Sequence, residues 1–158
     1  MRIKTWIAVC VLTGVFVFSA MAFDYSTPET TPGEKGWELY VNPPKFDRET
    51  AKGVSTGDGS PAAVVTSFYL SRLRGDEDYN DVLLPSEKRS RKLLRTLEMT
   101  KDWKYVEFQL VGQKNIEGNR YWVKISIKME INGKIDGGTD EAQVRYINGR
   151  WIVYTIPS

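Results

Sequence analysis

Oxygen-bearing side chains between Asp76 and Glu87 have the spacing of a calcium-binding loop. Asp76, Asp78, Asn80 and Glu87 occupy its first, third, fifth and twelfth positions, which supply ligand oxygens in such loops. The match is weakened because Asp81 replaces the usual turn glycine and Leu84 stands where an oxygen ligand is usual. We therefore favour the alternative that these acidic residues stabilise a helix N-terminus through its dipole, and we predict no metal and no cofactor.

A run of cations follows on a predicted helix. Its members are Lys88, Arg89, Arg91, Lys92 and Arg95. Such a face can dock an anionic partner, for example a lipid headgroup, a cell-wall polymer or an acidic protein. The alternative is a solvated face opposite the apolar Leu93, Leu94 and Leu97, which is the commoner role of a charge run.

Two sets of aromatic residues are further candidates for binding. The first set is predicted either to line a cone-shaped ligand pocket or, as is commoner for such residues, to fill the core. Its members are Phe68, Tyr69, Phe108, Tyr121, Tyr146 and Trp151. The second set is Trp122 with Tyr105 and Lys124, whose alternation predicts that all three point away from the core. An outward tryptophan indicates an interface or a surface covered by another part of the chain.

Composition excludes several classes of enzyme. The 158 residues include no histidine and one cysteine, which excludes a Ser-His-Asp triad, a Cys-His pair and a CxxC site. An isomerase-like enzyme needs a carboxylate base in an apolar cavity and a tyrosine donor, but Glu107, Glu130 and Glu141 all alternate outward on their predicted strands. The formal net charge of +2 is too small to indicate nucleic-acid binding. These observations predict a non-catalytic protein.

The N-terminal residues predict a targeting segment. Arg2 and Lys4 precede an apolar run, and Ala20-Met21-Ala22 has the small-x-small pattern of a cleavage site. Residues 1–22 are therefore predicted to be a signal peptide cleaved after Ala22, which makes the protein periplasmic or secreted; an uncleaved membrane anchor is the alternative. Residues 23–59 lack sustained periodicity and predict an extended arm or linker.

Residues 60–158 predict the folded domain. Ser60-Pro61 is a typical helix start, Gly75 ends this helix, and two further helices are expected after Asp76 and Ser86. Beyond Asp102 the apolar period changes from about 3.6 to about 2, and Asn-Gly pairs predict hairpin turns. The prediction is an α+β domain with three N-terminal helices packed on a curved four-stranded antiparallel sheet.

This order of elements resembles the NTF2-like superfamily, above all its small exported bacterial branches. The residues that carry the resemblance are the Ser60-Pro61 start, the Arg74-Gly75-Asp76 break and the Asn148-Gly149-Arg150-Trp151 turn. The resemblance covers about residues 60–158 and implies a cystatin-like cone, but the superfamily includes enzymes, binding modules and interaction domains.

From these features we expect an exported, non-catalytic domain that binds a protein partner or a small apolar ligand. Homodimerisation through the sheet is one form of such an interaction. We expect no nucleic-acid partner, and membrane contact only through an uncleaved signal segment. The alternative functions are an isomerase- or dehydratase-like enzyme and a calcium-stabilised module.

Overall fold

The computed structural model describes residues 22–158, in which one long helix packs against an antiparallel sheet. The helices are α1 (Pro61–Arg74) and α2 (Arg91–Thr100). The strands are β1 (Thr30–Pro32), β2 (Glu38–Tyr40), β3 (Lys45–Asp47), β4 (Lys104–Glu117), β5 (Arg120–Ile131), β6 (Lys134–Ile147) and β7 (Arg150–Thr155). Short 3₁₀ helices lie at Glu34–Gly36, Asp78–Val82 and Ser86–Lys88. The predicted signal peptide lies outside the described residues apart from Ala22.

The expected architecture of three helices on a four-stranded sheet is wrong. The described chain forms a seven-stranded sheet with the order β1-β2-β4-β5-β6-β7, and β3 also pairs with β4. The three additional strands come from the predicted arm and have three residues each. The predicted second helix is only the 3₁₀ helix at Asp78–Val82, because the acidic segment turns back on α1.

The arm closes the edge of β4. Its strand β2 pairs with Gly112 and Gln113, and its strand β3 pairs with the stretch from Glu107 to Gln109. A Cβ atom at Gly112 would lie 2.6 Å from the carbonyl oxygen of Glu38, so glycine is needed where β2 pairs with β4. The arm thereby pairs backbone groups that would otherwise form an open edge on a long strand.

Helix α1 begins and ends where the sequence predicts. The N–H of Ala63 donates to Oγ of Ser60 at 3.0 Å, and Pro61 takes the first helical position, where its missing N–H costs nothing. Gly75 ends the helix with φ of 76°, a left-handed conformation that glycine adopts without strain.

The space between α1 and the sheet is filled by side chains. The ring of Tyr69 stacks on Phe108 with a centroid distance of 4.9 Å and an interplanar angle of 11°. Phe68 contacts the edge of Tyr69, and Val123 and Ile125 of β5 are completely buried. Close packing of this kind excludes water from the interior and stabilises the fold.

Helix α2 begins later than the sequence predicts. Ser90, and not Ser86, caps it, with the N–H of Leu93 donating to Oγ of Ser90 at 3.1 Å. Leu93, Thr96 and Thr100 are buried on one side of α2, which leaves the opposite side to solvent.

Candidate functional site

Arg91, Lys92 and Arg95 of the predicted run lie on the exposed side of α2, and Lys88 ends the 3₁₀ helix just before it. Lys88, Arg91, Lys92 and Arg95 are all exposed, and we call these four residues the cationic face. Arg91 and Arg95 are one helical turn apart and therefore lie on the same side of α2. The cap at Ser90 and the buried side of α2 fix the orientation of this side.

The four cations of this face have no side-chain partner among the residues that the structure describes. Most other cations are engaged, for example Lys45 and Lys128 with Glu107 at 3.4 and 3.2 Å. Lys35, Lys104 and Lys134 are also without a partner, but they lie in the arm and at the first residues of β4 and β6. The cationic face is therefore a local concentration of uncompensated charge in a chain whose net charge is small.

Two apolar side chains accompany the cationic face. Leu94 is 41% exposed and Met99 is 52% exposed, although both residue types are usually buried. Met99 lies one turn beyond Arg95, and Leu94 lies three residues after Arg91. This face of α2 thus offers both charge and apolar contact area to a partner.

Arg89 differs from the other members of the predicted run. Its Nε donates to the carbonyl oxygen of Leu84 at 2.6 Å, and its Nη2 donates to Oδ1 of Asn80 at 3.0 Å. Arg89 therefore joins the acidic segment to the start of α2. Its guanidinium is occupied by these internal hydrogen bonds.

The candidate calcium ligands are held by arginines. Nε of Arg74 donates to Oδ2 of Asp76 at 2.6 Å, and Oδ2 of Asp78 lies 3.7 Å from Nη2 of Arg74. Asn80 accepts from Arg89, while Glu87 is exposed in the next 3₁₀ helix. Within residues 22–158, no group of three or more potential metal ligands comes together.

Asp76 is fixed as an anion by its neighbours. Burial alone would raise the pKa of Asp76, but hydrogen bonds from the Ser71 hydroxyl, Arg74 and the N–H of Asp78 outweigh it. The pKa of this carboxyl is therefore held below its usual range. The geometry agrees with a structural role in ending α1 and starting the next turn.

The six predicted pocket residues fall into two groups. Phe68, Tyr69 and Phe108 are buried in the packed core. Tyr121, Tyr146 and Trp151 form a second cluster near the Asn148-Gly149 turn, where Trp151 contacts the other two rings edge-on at 5.5 and 5.4 Å. Tyr146 is 44% exposed, so this second cluster is partly at the surface. The six residues do not surround one space.

A bulge in β4 separates Tyr105 from Trp122 and Lys124, the other two residues of the predicted outward set. Tyr105 is buried against Tyr69, because a register shift between Tyr105 and Glu107 turns it inward opposite Met129; the prediction that Tyr105 points outward is wrong. Lys124 does lie on the outer face, where its Nζ is 4.2 Å from the ring centroid of Trp37 in the arm.

Trp122 is half-buried in a shallow groove of about 270 Å³. The groove also contains Lys92 of the cationic face and Glu141 of β6. The interface role of Trp122 and Lys124 stays a prediction, with part of this outer face covered by the arm.

Two carboxylates that the sequence analysis overlooked lie on the inner alternation of β6. Asp136 pairs with Met129, and Asp140 pairs with the completely buried Ile125. The outward alternation predicted for Glu107, Glu130 and Glu141 therefore does not extend to every carboxylate of the sheet. The position of Asp136 and Asp140 could have been found from the sequence. Both keep the two-residue period of Ala142 and Val144, so they fall on the same side of β6 once the Asn132-Gly133 turn sets the pairing register.

A cleft of about 630 Å³ lies between the arm and α1. Nη1 of Arg74 donates to the carbonyl oxygens of Ala51 and Val54 at 3.3 Å each, and Arg150 donates to that of Asp81 at 2.5 Å. Both arginines of the cleft thus stabilise the surrounding loops. Their hydrogen-bonding capacity is largely used within the chain.

Comparisons with protein-family models, with curated proteins and with solved structures found no match. The resemblance to the NTF2-like superfamily therefore stays a prediction. Between residues 22 and 158, neither helix is long and apolar enough to cross a membrane. The fold and the surfaces define an α+β protein with a filled core and a cationic face on α2.

Proposed function

We propose that the protein is a non-catalytic interaction domain that binds an acidic protein partner through the cationic face. The observation that carries this proposal is the absence, among the described residues, of carboxylate partners for Lys88, Arg91, Lys92 and Arg95. Four like charges on one exposed surface attract a complementary acidic surface and orient it during encounter. We also propose that the domain acts outside the cytoplasm, as its N-terminal residues predict.

The apolar residues on α2 favour a protein partner over a hydrophilic anionic polymer. Leu94 and Met99 offer contact area that a protein surface can cover, and such area adds affinity that charge alone does not supply. A partner that presents acidic residues together with apolar side chains matches this arrangement in both charge and hydrophobicity.

The same helix is poorly suited to insertion into a lipid surface. An interfacial helix buries a continuous apolar face in the membrane. The apolar side of α2 is already packed on the core through Leu93, and Nη2 of Arg72 donates to the carbonyl oxygen of Thr100 at 2.5 Å, which holds the end of α2 in place. Only two separate apolar side chains remain for contact.

The proposal is tested by binding of poly-L-glutamate, followed by fluorescence anisotropy at low salt. We expect the triple substitution Arg91→Gln, Lys92→Gln and Arg95→Gln to weaken binding by about tenfold or more, because it removes most of the local charge. Raising the ionic strength from about 0.01 to 0.15 M should weaken binding of the unchanged protein, since charge attraction is screened.

The matched control is the triple substitution Lys35→Gln, Lys104→Gln and Lys134→Gln. It removes the same formal charge from separated exposed positions and should change the affinity by less than about threefold. Equal losses in the two variants would contradict a localised docking face. Binding to phosphatidylglycerol vesicles without binding to poly-L-glutamate would contradict the choice of a protein partner.

A further inference from the structure

One edge of β6 is left without a neighbouring strand. Strand β5 pairs with β6 from Lys134 to Arg145, but β7 covers the opposite edge only from Gln143 to Ile147. Residues 134–141, which we call the open edge, are all exposed and have no second strand beside them in the described structure. An edge of this length offers backbone donors and acceptors to an added strand.

Two backbone donors of the open edge are capped by side chains. The N–H of Gly137 donates to Oδ1 of Asp136, and the N–H of Glu141 donates to Oδ1 of Asp140, both at 2.8 Å. Thr139 has the same orientation by the two-residue period of a strand. Because Gly138 precedes Thr139, no side chain is available to cap the Thr139 N–H in this way.

A small hollow lies beside Gly138 on the inner side of β6. Its volume is about 130 Å³, and Ile127 and Met129 line it together with Asp136 and Asp140. A Cβ atom at Gly138 would have no atom within 4 Å, so the glycine leaves this space open. An apolar floor with carboxylates beside it suits the aliphatic stem and charged end of a lysine or arginine.

From this geometry we propose that the open edge binds an extended basic segment of a partner protein as an added antiparallel strand. The Thr139 N–H donates to a backbone carbonyl of the segment, and a lysine or arginine of the segment occupies the hollow between Asp136 and Asp140. Its cation is attracted by the carboxylates of Asp136 and Asp140, which both line the hollow. Backbone pairing supplies affinity, and the hollow supplies specificity.

The charges of the open edge disfavour a second copy of this chain as the occupant. Antiparallel pairing of two such edges about Gly138 would bring Asp136 of one copy opposite Asp140 of the other. Like charges directly opposite each other destabilise a strand pair. A basic segment has the complementary charge, although the far end of the open edge, at Asp140 and Glu141, lines the same groove as Lys92 of the cationic face.

The test is a titration with the blocked peptide Thr-Val-Thr-Lys-Thr-Val-Thr, followed by backbone amide chemical shifts. We expect shift changes along residues 135–141. Thr139→Pro should weaken binding by about tenfold or more, because proline removes the donor while an edge strand tolerates it. Thr139→Ala is the matched control and should stay within about twofold, since the backbone N–H is retained.

Two further variants test the hollow separately from the edge. Gly138→Leu should fill the hollow and weaken binding by about tenfold or more, with the melting temperature of the free protein as a check on folding. Asp136→Asn with Asp140→Asn keeps an oxygen cap for each N–H but removes the charge, so it should abolish the preference for the lysine peptide over the same peptide with a central glutamate.

Three results would overturn the proposal. The first is a Thr139→Pro variant that folds and binds the lysine peptide as tightly as Thr139→Ala does. The second is equal binding of the lysine and glutamate peptides by the unchanged protein. The third is a concentration-dependent dimer that Thr139→Pro converts to a monomer, because the occupant of the open edge would then be a second copy of this chain.

Discussion

Removal of residues 23–59 is expected to abolish the cooperative folding of residues 60–158. The arm contributes Tyr40, Phe46 and Ala51 to the core, and the two large side chains stabilise the fold by about 1.5–3 kcal/mol each through burial. Its removal also exposes the edge of β4 and leaves the Arg74 guanidinium without the carbonyls of Ala51 and Val54. The combined loss is a large part of the free energy of unfolding of a typical domain, which is about 5–15 kcal/mol.

Urea unfolding of residues 23–158 and 60–158, monitored by tryptophan fluorescence and circular dichroism, measures this effect. The longer chain should unfold in one cooperative transition, and the shorter chain should show none. Adding a synthetic peptide of residues 23–59 to the shorter chain serves as the control and should restore part of the β signal. Equal midpoints for the two chains would show that the arm is dispensable.

Phe108→Ala is expected to lower the free energy of unfolding by about 3–5 kcal/mol. Phe108 is 1% exposed and stacks on Tyr69, so truncation leaves a cavity that the surrounding side chains cannot fill. Tyr146→Ala is the matched control from the other aromatic cluster, and it should change the same free energy by less than about 1 kcal/mol because Tyr146 lies at the surface and is 44% exposed.

Equilibrium denaturation in urea gives both values from the midpoint and the slope. A small effect of Phe108→Ala, similar to that of Tyr146→Ala, would mean that the space between α1 and the sheet is hollow. That result would favour a ligand cavity between α1 and the sheet. The stacked geometry of Tyr69 on Phe108 leads us to expect the larger loss.

Features specified by local chemistry were predictable from the sequence. Ser60-Pro61 starts α1 because the serine hydroxyl caps an N–H and proline needs no partner at the first position. Asn132-Gly133 and Asn148-Gly149 form the β5–β6 and β6–β7 turns, with positive φ at all four residues. The alternation of Val123, Ile125 and Ile127 identified the buried side of β5.

Features that depend on distant pairing were not predictable from local patterns. Strands β1, β2 and β3 have three residues each, and they become strands only because β4 and one another offer partners. The bulge after Tyr105 reverses the direction of its side chain, although the sequence shows uninterrupted alternation there. Ser90 caps α2, and the Arg89 side chain before it bonds to Leu84 and Asn80, contacts that no local pattern shows.

The candidate surfaces were predictable to different degrees. The concentration of cations on α2 follows from composition and helical spacing, although the internal role of Arg89 does not. The open edge of β6 exists because β6 has fourteen residues and β7 only six. Which residues of β6 remain uncovered can be known only from the pairing register of the two strands. The hollow beside Gly138 requires the same register.

The most direct test of the account is to map poly-L-glutamate on the domain by backbone amide chemical shifts at low salt. We expect the largest shift changes between residues 88 and 99, which include the cationic face, Leu94 and Met99. We expect small changes at Lys35 and Lys134, which are exposed cations elsewhere. Equal changes at those two lysines, or the largest changes outside residues 88–99, would contradict docking through the cationic face.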